Sequence, residues 1–213
     1  DSATIASLAG RLEEAEHNRA PIAKITDEYP DLDWDDAYAI QTAIRQSKLD
    51  AGVRIAGLKA GLTSKAKMKQ MNVAEPVFGF LCDYGSYPDG GEIALERFIA
   101  PRIEAEIAFV TNTELAGPGC HLARVLAATE FVMPAVEILD SRYENFRFDL
   151  ISVVADNTSA AGFITGGRAR YVDDIDLRTL GLVVEKNGKV VEVGAGAAVL
   201  GHPAESVAVL ANN

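Results

Sequence analysis

Cysteine is almost missing from this chain, with two residues in 213, Cys82 and Cys120. So few cannot build a disulfide scaffold, and no Cys/His spacing resembles a zinc site. Histidine (three) and tryptophan (one) are equally scarce. Positive charge is in deficit: 20 Lys and Arg stand against 31 Asp and Glu, a net charge of −11. That balance disfavours a polyanionic partner such as nucleic acid, and an anionic bilayer for the same reason. No apolar run approaches the roughly 20 residues that span a membrane. The opening Asp1-Ser2-Ala3-Thr4 shows neither the basic nor the apolar stretch of a secretory leader. The expectation is a soluble, cytoplasmic, acidic globular protein whose chemistry relies on carboxylates, lysine or a metal.

What is present is ordinary globular material, 48% hydrophobic and 24% charged. The length suits one large domain or one and a half. Ile5, Leu8, Leu12 and Ala15 recur at helical spacing, with Ser2 or Thr4 available as a cap. Asp33 precedes Trp34-Asp35-Asp36, a helix start in which carboxylates meet unpaired N–H groups. Ala37, Ile40 and Ile44 then share a face, and Gly52 offers a stop. The six acids between Asp27 and Asp36 read as a solvated loop and helix start.

From Val53 the texture becomes β-rich. Val53–Gly57 reads as a strand entering a glycine turn at Gly57–Gly61, and Ser64 can cap a short helix carrying Met68 and Met71. Strands are expected at Phe78–Leu81, Arg102–Val110 and Val132–Leu139, with a helix at His121–Thr129, where His121 suits a cap. Asn187-Gly188 between two apolar runs is a strong hairpin signal, since both positions tolerate positive φ. Pro203 opens a last amphipathic helix. Helices first and strands afterwards imply an α+β fold, with a mainly helical part over residues 1–75 and a β-rich part over 76–213.

The informative stretch is Arg102–Val110. Strand alternation places Ile103, Ala105, Ile107 and Phe109 on one face and Glu104 and Glu106 together on the other. Glu137 is a single acid inside the apolar run Val132–Leu139, an unusual setting for a carboxylate. Three carboxylates from two strands are what a hard divalent cation such as Mg²⁺ requires. A solvated sheet face with Glu137 paired to an arginine fits the pattern equally well. Lys59, among glycines in Gly57–Gly61, suits either a surface turn or a group that binds an oxyanion or moves a proton. Val154-Ala155-Asp156-Asn157-Thr158-Ser159 is either an Asx turn or a ligand-binding loop.

The same segments carry a family resemblance. Gly57–Ser64, Pro101–Glu106, Pro134–Glu137 and Val154–Ser159 resemble the hydratase/decarboxylase branch of the fumarylacetoacetase-like superfamily. Gly117–Leu122, Asp140–Leu150, and Glu185–Gly188 running into Gly194–Pro203 are similar to its decarboxylase side. The resemblance implies an N-terminal helical part followed by a mixed β-sandwich roll. Members usually continue through further strands and a Gly-rich segment, so a roll lacking its C-terminal strands is expected here.

It also implies a site. Glu104, Glu106 and Glu137 are the expected ligands of Mg²⁺, with Mn²⁺ as a substitute and no organic cofactor. Lys59 and Asp83 are the expected catalytic groups, and Leu62, Thr63 and Ser159 the substrate contacts. The implied reaction is metal-dependent loss of CO2 from a small dianionic 2-oxo acid, 2-oxo-3-hexenedioate. Hydration of 2-hydroxypenta-2,4-dienoate is the nearest alternative, and a non-catalytic scaffold for the hydratase of the same pathway is an alternative of another class. Homo-oligomers and a complex with that hydratase are the expected assemblies.

Overall fold

The structure, a computed structural model, describes residues 1–213. Its first helix, α1 (Ser2–Asn18), is capped one residue earlier than expected, by Asp1, whose carboxylate accepts the Thr4 N–H at 2.9 Å. Leu8, Leu12 and Ala15 are buried as their spacing predicts. A single turn, α2 (Ile25–Glu28), leads to α3 (Trp34–Asp50). Asp33 and Asp36 bond each other's backbone there in a reciprocal capping box, and Ala37, Ile40 and Ile44 turn inward.

The remaining elements are β1 (Ile55–Gly61), α4 (Lys65–Met71), β2 (Val77–Cys82), β3 (Ser86–Tyr87), β4 (Arg102–Thr111), α5 (Leu122–Ala128), β5 (Thr129–Leu139), α6 (Leu150–Ala155), β6 (Ala160–Thr165), β7 (Gly181–Lys186), β8 (Lys189–Ala195) and α7 (Pro203–Asn212). Strands β1 and β2 pair, β7 pairs with β8, and the third sheet runs in the order β3-β6-β5-β4. Within it β3 and β6 are parallel, with Ser86 opposite Phe163. The β7–β8 hairpin is antiparallel, and Asn187 (φ 52°) and Gly188 (φ 73°) both take the positive φ that the dipeptide predicts.

Other expectations need correction. The turn foreseen at Gly57–Gly61 is strand, because pairing with β2 keeps the chain extended. Gly61 marks a close approach there, since a Cβ would stand 3.2 Å from the Val77 side chain. His121 and Ser64 occupy N-cap positions but make no side-chain cap bond. Residues 150–155 form α6, which Asp149 caps by accepting the Ser152 N–H at 2.9 Å, and the polar run that ends at Ser159 leads directly into strand β6.

Contacts gather the chain into two discontinuous units: Asp1–Lys59, Phe78–Glu104 and Glu137–Ile164 in one; Ala60–Val77, Ala105–Val136 and Thr165–Asn213 in the other. The first is built on α3 packed against α1 and α6, with Leu8, Leu12, Ile25, Ile40, Tyr143 and Val154 in its core. In the second, α5 packs on α7 around Val125, Cys120, Ala204 and Ala208.

Asp149 ties α2 to α6 in the first unit. Its carboxylate accepts Thr26 Oγ1, the Ser152 N–H, and Lys24 Nζ at 3.1 Å. Burial works against its ionisation, but the bonds from Thr26, Ser152 and Lys24 outweigh it and hold the carboxyl below the usual range. A depressed folded-state pKa gives stability that is present above the unfolded value of about 3.9 and lost as pH falls through the folded one. Asp149→Ala is therefore expected to remove about 1–2 kcal/mol at pH 7, the usual worth of an N-cap. The gap to the unsubstituted protein should narrow as pH drops below about 4, read by urea denaturation at both pH values.

Candidate active site

Strands β4 and β5 are neighbours in the four-stranded sheet, and each brings acid to it. Glu104 and Glu106 alternate along β4, so one face carries both, as the spacing predicts. Glu137 comes from β5. One carboxylate oxygen from each of the three lies within 4.8 Å of the others. Their exposure is graded: Glu104 is exposed, Glu106 half-buried and Glu137 buried. At that spacing each pair of charges repels by about 3 kcal/mol at an effective dielectric of 20, so the cluster calls for a cation.

One cation is built in. Lys59 Nζ stands 2.5 Å from Glu137 Oε1, with the two side chains only 8% and 7% exposed. This settles the choice left open by the sequence: Lys59 is not a surface residue. The ammonium also donates to the Thr158 carbonyl at 3.3 Å. Burial pushes the Glu137 carboxyl above the usual carboxylate range; Lys59 pulls it down and Glu104 pushes it up further. Glu137 Oε1 makes no hydrogen bond of good geometry, so the ion-pair contact with Lys59 is its sole compensation.

The polar run after α6 reaches the same lysine. Asn157, Thr158 and Ser159 all have positive φ, and the hydroxyls of Thr158 and Ser159 are buried with no hydrogen-bond partner. Buried hydroxyls are normally bonded, so two adjacent ones without a protein partner set this turn apart.

The other expected site residues lie in different company. Asp83 opens a short 3₁₀ turn, and its carboxylate accepts Arg54 Nε at 3.0 Å. That bond holds the Asp83 carboxyl below its ordinary value, and none of its contacts is with Lys59 or the three glutamates. Leu62 and Thr63 follow β1 in the second unit; Leu62 takes φ 56°, and the Thr63 carbonyl accepts the Leu200 N–H at 3.0 Å.

Sequence reasoning did not foresee how three residues, Arg142, Asp156 and Asp140, are engaged. Arg142 and Asp156 form a fully buried ion pair behind the Asn157–Ser159 turn. Asp140 accepts the Ile99 and Ala100 N–H groups at 2.8 and 2.7 Å, fixing the chain just before β4. The available signal was a pair of acids, Asp140 and Asp156, each at the end of an apolar run. Nothing local named their partners.

As a donor set, three carboxylates with hard oxygen ligands fit Mg²⁺ or Mn²⁺ and leave coordination positions for other oxygens. The burial of Glu137 against a single ammonium, with two further carboxylates converging on it, supports that fit. Fold and site together present a three-carboxylate cluster with a buried lysine on an α+β scaffold.

No family model matches the chain. Among known proteins it is 60% identical over 208 residues to 4-oxalocrotonate decarboxylase of Pseudomonas sp. (strain CF600), covering 98% of this chain and 79% of that one. It is 40% identical to 2-oxo-hept-4-ene-1,7-dioate hydratase of Escherichia coli, covering 100% of this chain and 82% of that one. A solved structure of 4-oxalocrotonate decarboxylase from Pseudomonas putida G7, complexed with magnesium and adipate, matches with a TM-score of 0.97 and 56% identity, over 100% of this chain and 81% of that one. The chain belongs to the family of 4-oxalocrotonate decarboxylases and their related hydratases.

Proposed function

We propose that this protein decarboxylates 2-oxo-3-hexenedioate (4-oxalocrotonate) to 2-hydroxypenta-2,4-dienoate, with Mg²⁺ or Mn²⁺ held by Glu104, Glu106 and Glu137. The observation that carries the reading is the convergence of these three carboxylates, one of them buried against Lys59. The choice of decarboxylation over hydration is supported by identities of 60% and 58% to two decarboxylases, against 38–41% to the hydratases and 40% to a third decarboxylase.

A divalent ion bound there supplies Lewis-acid polarisation of the substrate's 2-oxo carbonyl. The rest of the task falls to the chain. As the C5–C6 bond breaks and CO2 leaves, its electron pair becomes a C4=C5 double bond. The former C3=C4 pair moves to C2=C3, and the carbonyl pair moves to the C2 oxygen. One proton delivered to that oxygen completes the dienol. Lys59 is suited both to stabilise the growing negative charge and to provide the proton, since its ammonium is buried, anchored and aimed at the acidic cluster. Ser159 Oγ is free to bond a substrate oxygen. Leu62 and Thr63 are proposed as backbone contacts. Asp83 is proposed as a further acid of the reaction.

The reading extends to a homo-oligomeric enzyme that hands its dienol to the hydratase of the next step, in a complex with it. A cytoplasmic location is supported by two cysteines that remain unbonded. No helix is long and apolar enough to cross a membrane.

The decisive assay supplies Mg²⁺-loaded protein with 2-oxo-3-hexenedioate in one arm and 2-hydroxypenta-2,4-dienoate in the other. CO2 release in the first arm, with no consumption of the dienol in the second, is expected. Dienol consumption without CO2 release would make the protein a hydratase.

A further inference from the structure

The turn that follows α6 holds three successive non-glycine residues in the left-handed region: Asn157 (φ 48°), Thr158 (φ 52°) and Ser159 (φ 59°). Each such residue is disfavoured for an L-amino acid, so the run persists only if its surroundings impose it. Arg142 does so from one side. Its Nε donates to the Asp156 carboxylate and its Nη2 to the Asp156 carbonyl. Its Nη1 reaches the Ala160 carbonyl at 3.1 Å and the Asp140 carbonyl at 2.8 Å. The backbone N–H of Arg142 donates to the other Asp156 oxygen at 3.1 Å. One planar guanidinium thus grips the residues immediately before and after the turn.

Strand β2 grips it from the other side. The Asn157 side chain accepts the Phe80 N–H and donates to the Phe80 carbonyl, both at 2.9 Å. Gly79 leaves the room the turn needs: a Cβ there would lie 2.6 Å from Thr158 Oγ1 and 3.0 Å from the Asn157 carbonyl oxygen. The consequence of this clamp is the direction of one carbonyl. Thr158 presents its oxygen to Lys59 Nζ, as the second acceptor beside Glu137.

We propose that Arg142 is a positioning residue: through Asp156 and the left-handed turn it aims the Thr158 carbonyl that anchors the Lys59 ammonium, and Gly79 is the space that lets the turn sit there. The inference rests on the proposed role of Lys59 in the reaction. A carbonyl carries no charge and takes no part in metal binding here. It therefore fixes the ammonium independently of how Glu137 is engaged.

Two variants test this. Arg142→Lys keeps the charge but cannot span Asp156 and Ala160 with a planar fork. Gly79→Ala pushes on the turn from the opposite side and leaves the ion pair intact, so it serves if Arg142→Lys fails to fold. The readouts are the acylation rate of each lysine by mass spectrometry, kcat and KM for 2-oxo-3-hexenedioate, and Mg²⁺ affinity by calorimetry. In a variant with a cooperative thermal melt, Lys59 should acylate at least fivefold faster while Lys24 stays unchanged. Its kcat should fall tenfold or more, with KM and Mg²⁺ affinity within threefold. Wild-type Lys59 acylation in folded Gly79→Ala overturns the proposal, and so does a uniform rise at every lysine. Faster acylation of Lys59 with unchanged kcat would uphold the anchor and overturn instead the catalytic role of Lys59.

Discussion

Glu137→Gln is expected to lower CO2 release from 2-oxo-3-hexenedioate by about 10²–10⁴-fold, the range implied by losing several kcal/mol of Lewis-acid stabilisation. Of the three acids, Glu137 is the one whose loss should be felt most. It is the buried member, it pairs with Lys59, and its neighbours are fixed in strand β5. Glutamine keeps the shape and one carbonyl oxygen but gives up the charge that a hard cation needs. The loss should appear in kcat/KM at saturating wild-type Mg²⁺ and recover in part at much higher Mg²⁺. An unchanged kcat/KM would remove Glu137 from the site.

Lys59→Met separates two roles that coincide in one ammonium. The kcat is expected to fall about 10²–10⁴-fold, as for loss of a positioned proton donor. Mg²⁺ affinity is expected to move the opposite way and rise, because no ammonium then competes for Glu137 Oε1. Stability adds a third sign. Removing one partner of a buried ion pair typically destabilises by about 3–5 kcal/mol, since the other charge stays buried and uncompensated. The metal-free variant should therefore melt lower than the unsubstituted protein, and Mg²⁺ should raise its Tm by a larger increment. Activity retained in Lys59→Met would assign the proton to another group, with Asp83 the next to test.

Much of this site is legible in the sequence because strand alternation is local and exact in period. Glu104 and Glu106 must share a face once Arg102–Thr111 is a strand, and an acid in the middle of the apolar β5 stands out without any coordinates. The hairpin at Asn187-Gly188 and the capping box at Asp33 and Asp36 are legible for the same reason, since a few adjacent residues determine each. What the sequence hides is long-range. Lys59 reads as a turn lysine because its glycine neighbours suggest a turn, whereas pairing with β2 makes the segment a strand and buries the side chain. Helix α6 is short and rich in valine and isoleucine, so its composition favours a strand. The Asp149 cap and packing against α3 decide otherwise. Arg142 and Asp156 are 14 residues apart, and only the fold brings a guanidinium through the protein interior to clamp the turn.

The most direct test of the metal site is CO2 release from 2-oxo-3-hexenedioate as a function of Mg²⁺ concentration, in the unsubstituted protein and in Glu106→Gln. Expected is a saturable dependence that excess chelator abolishes and added Mg²⁺ restores, with half-saturation at least tenfold higher in Glu106→Gln. Full-rate CO2 release from chelator-treated protein, or identical half-saturation in the two proteins, would contradict a metal held by Glu104, Glu106 and Glu137.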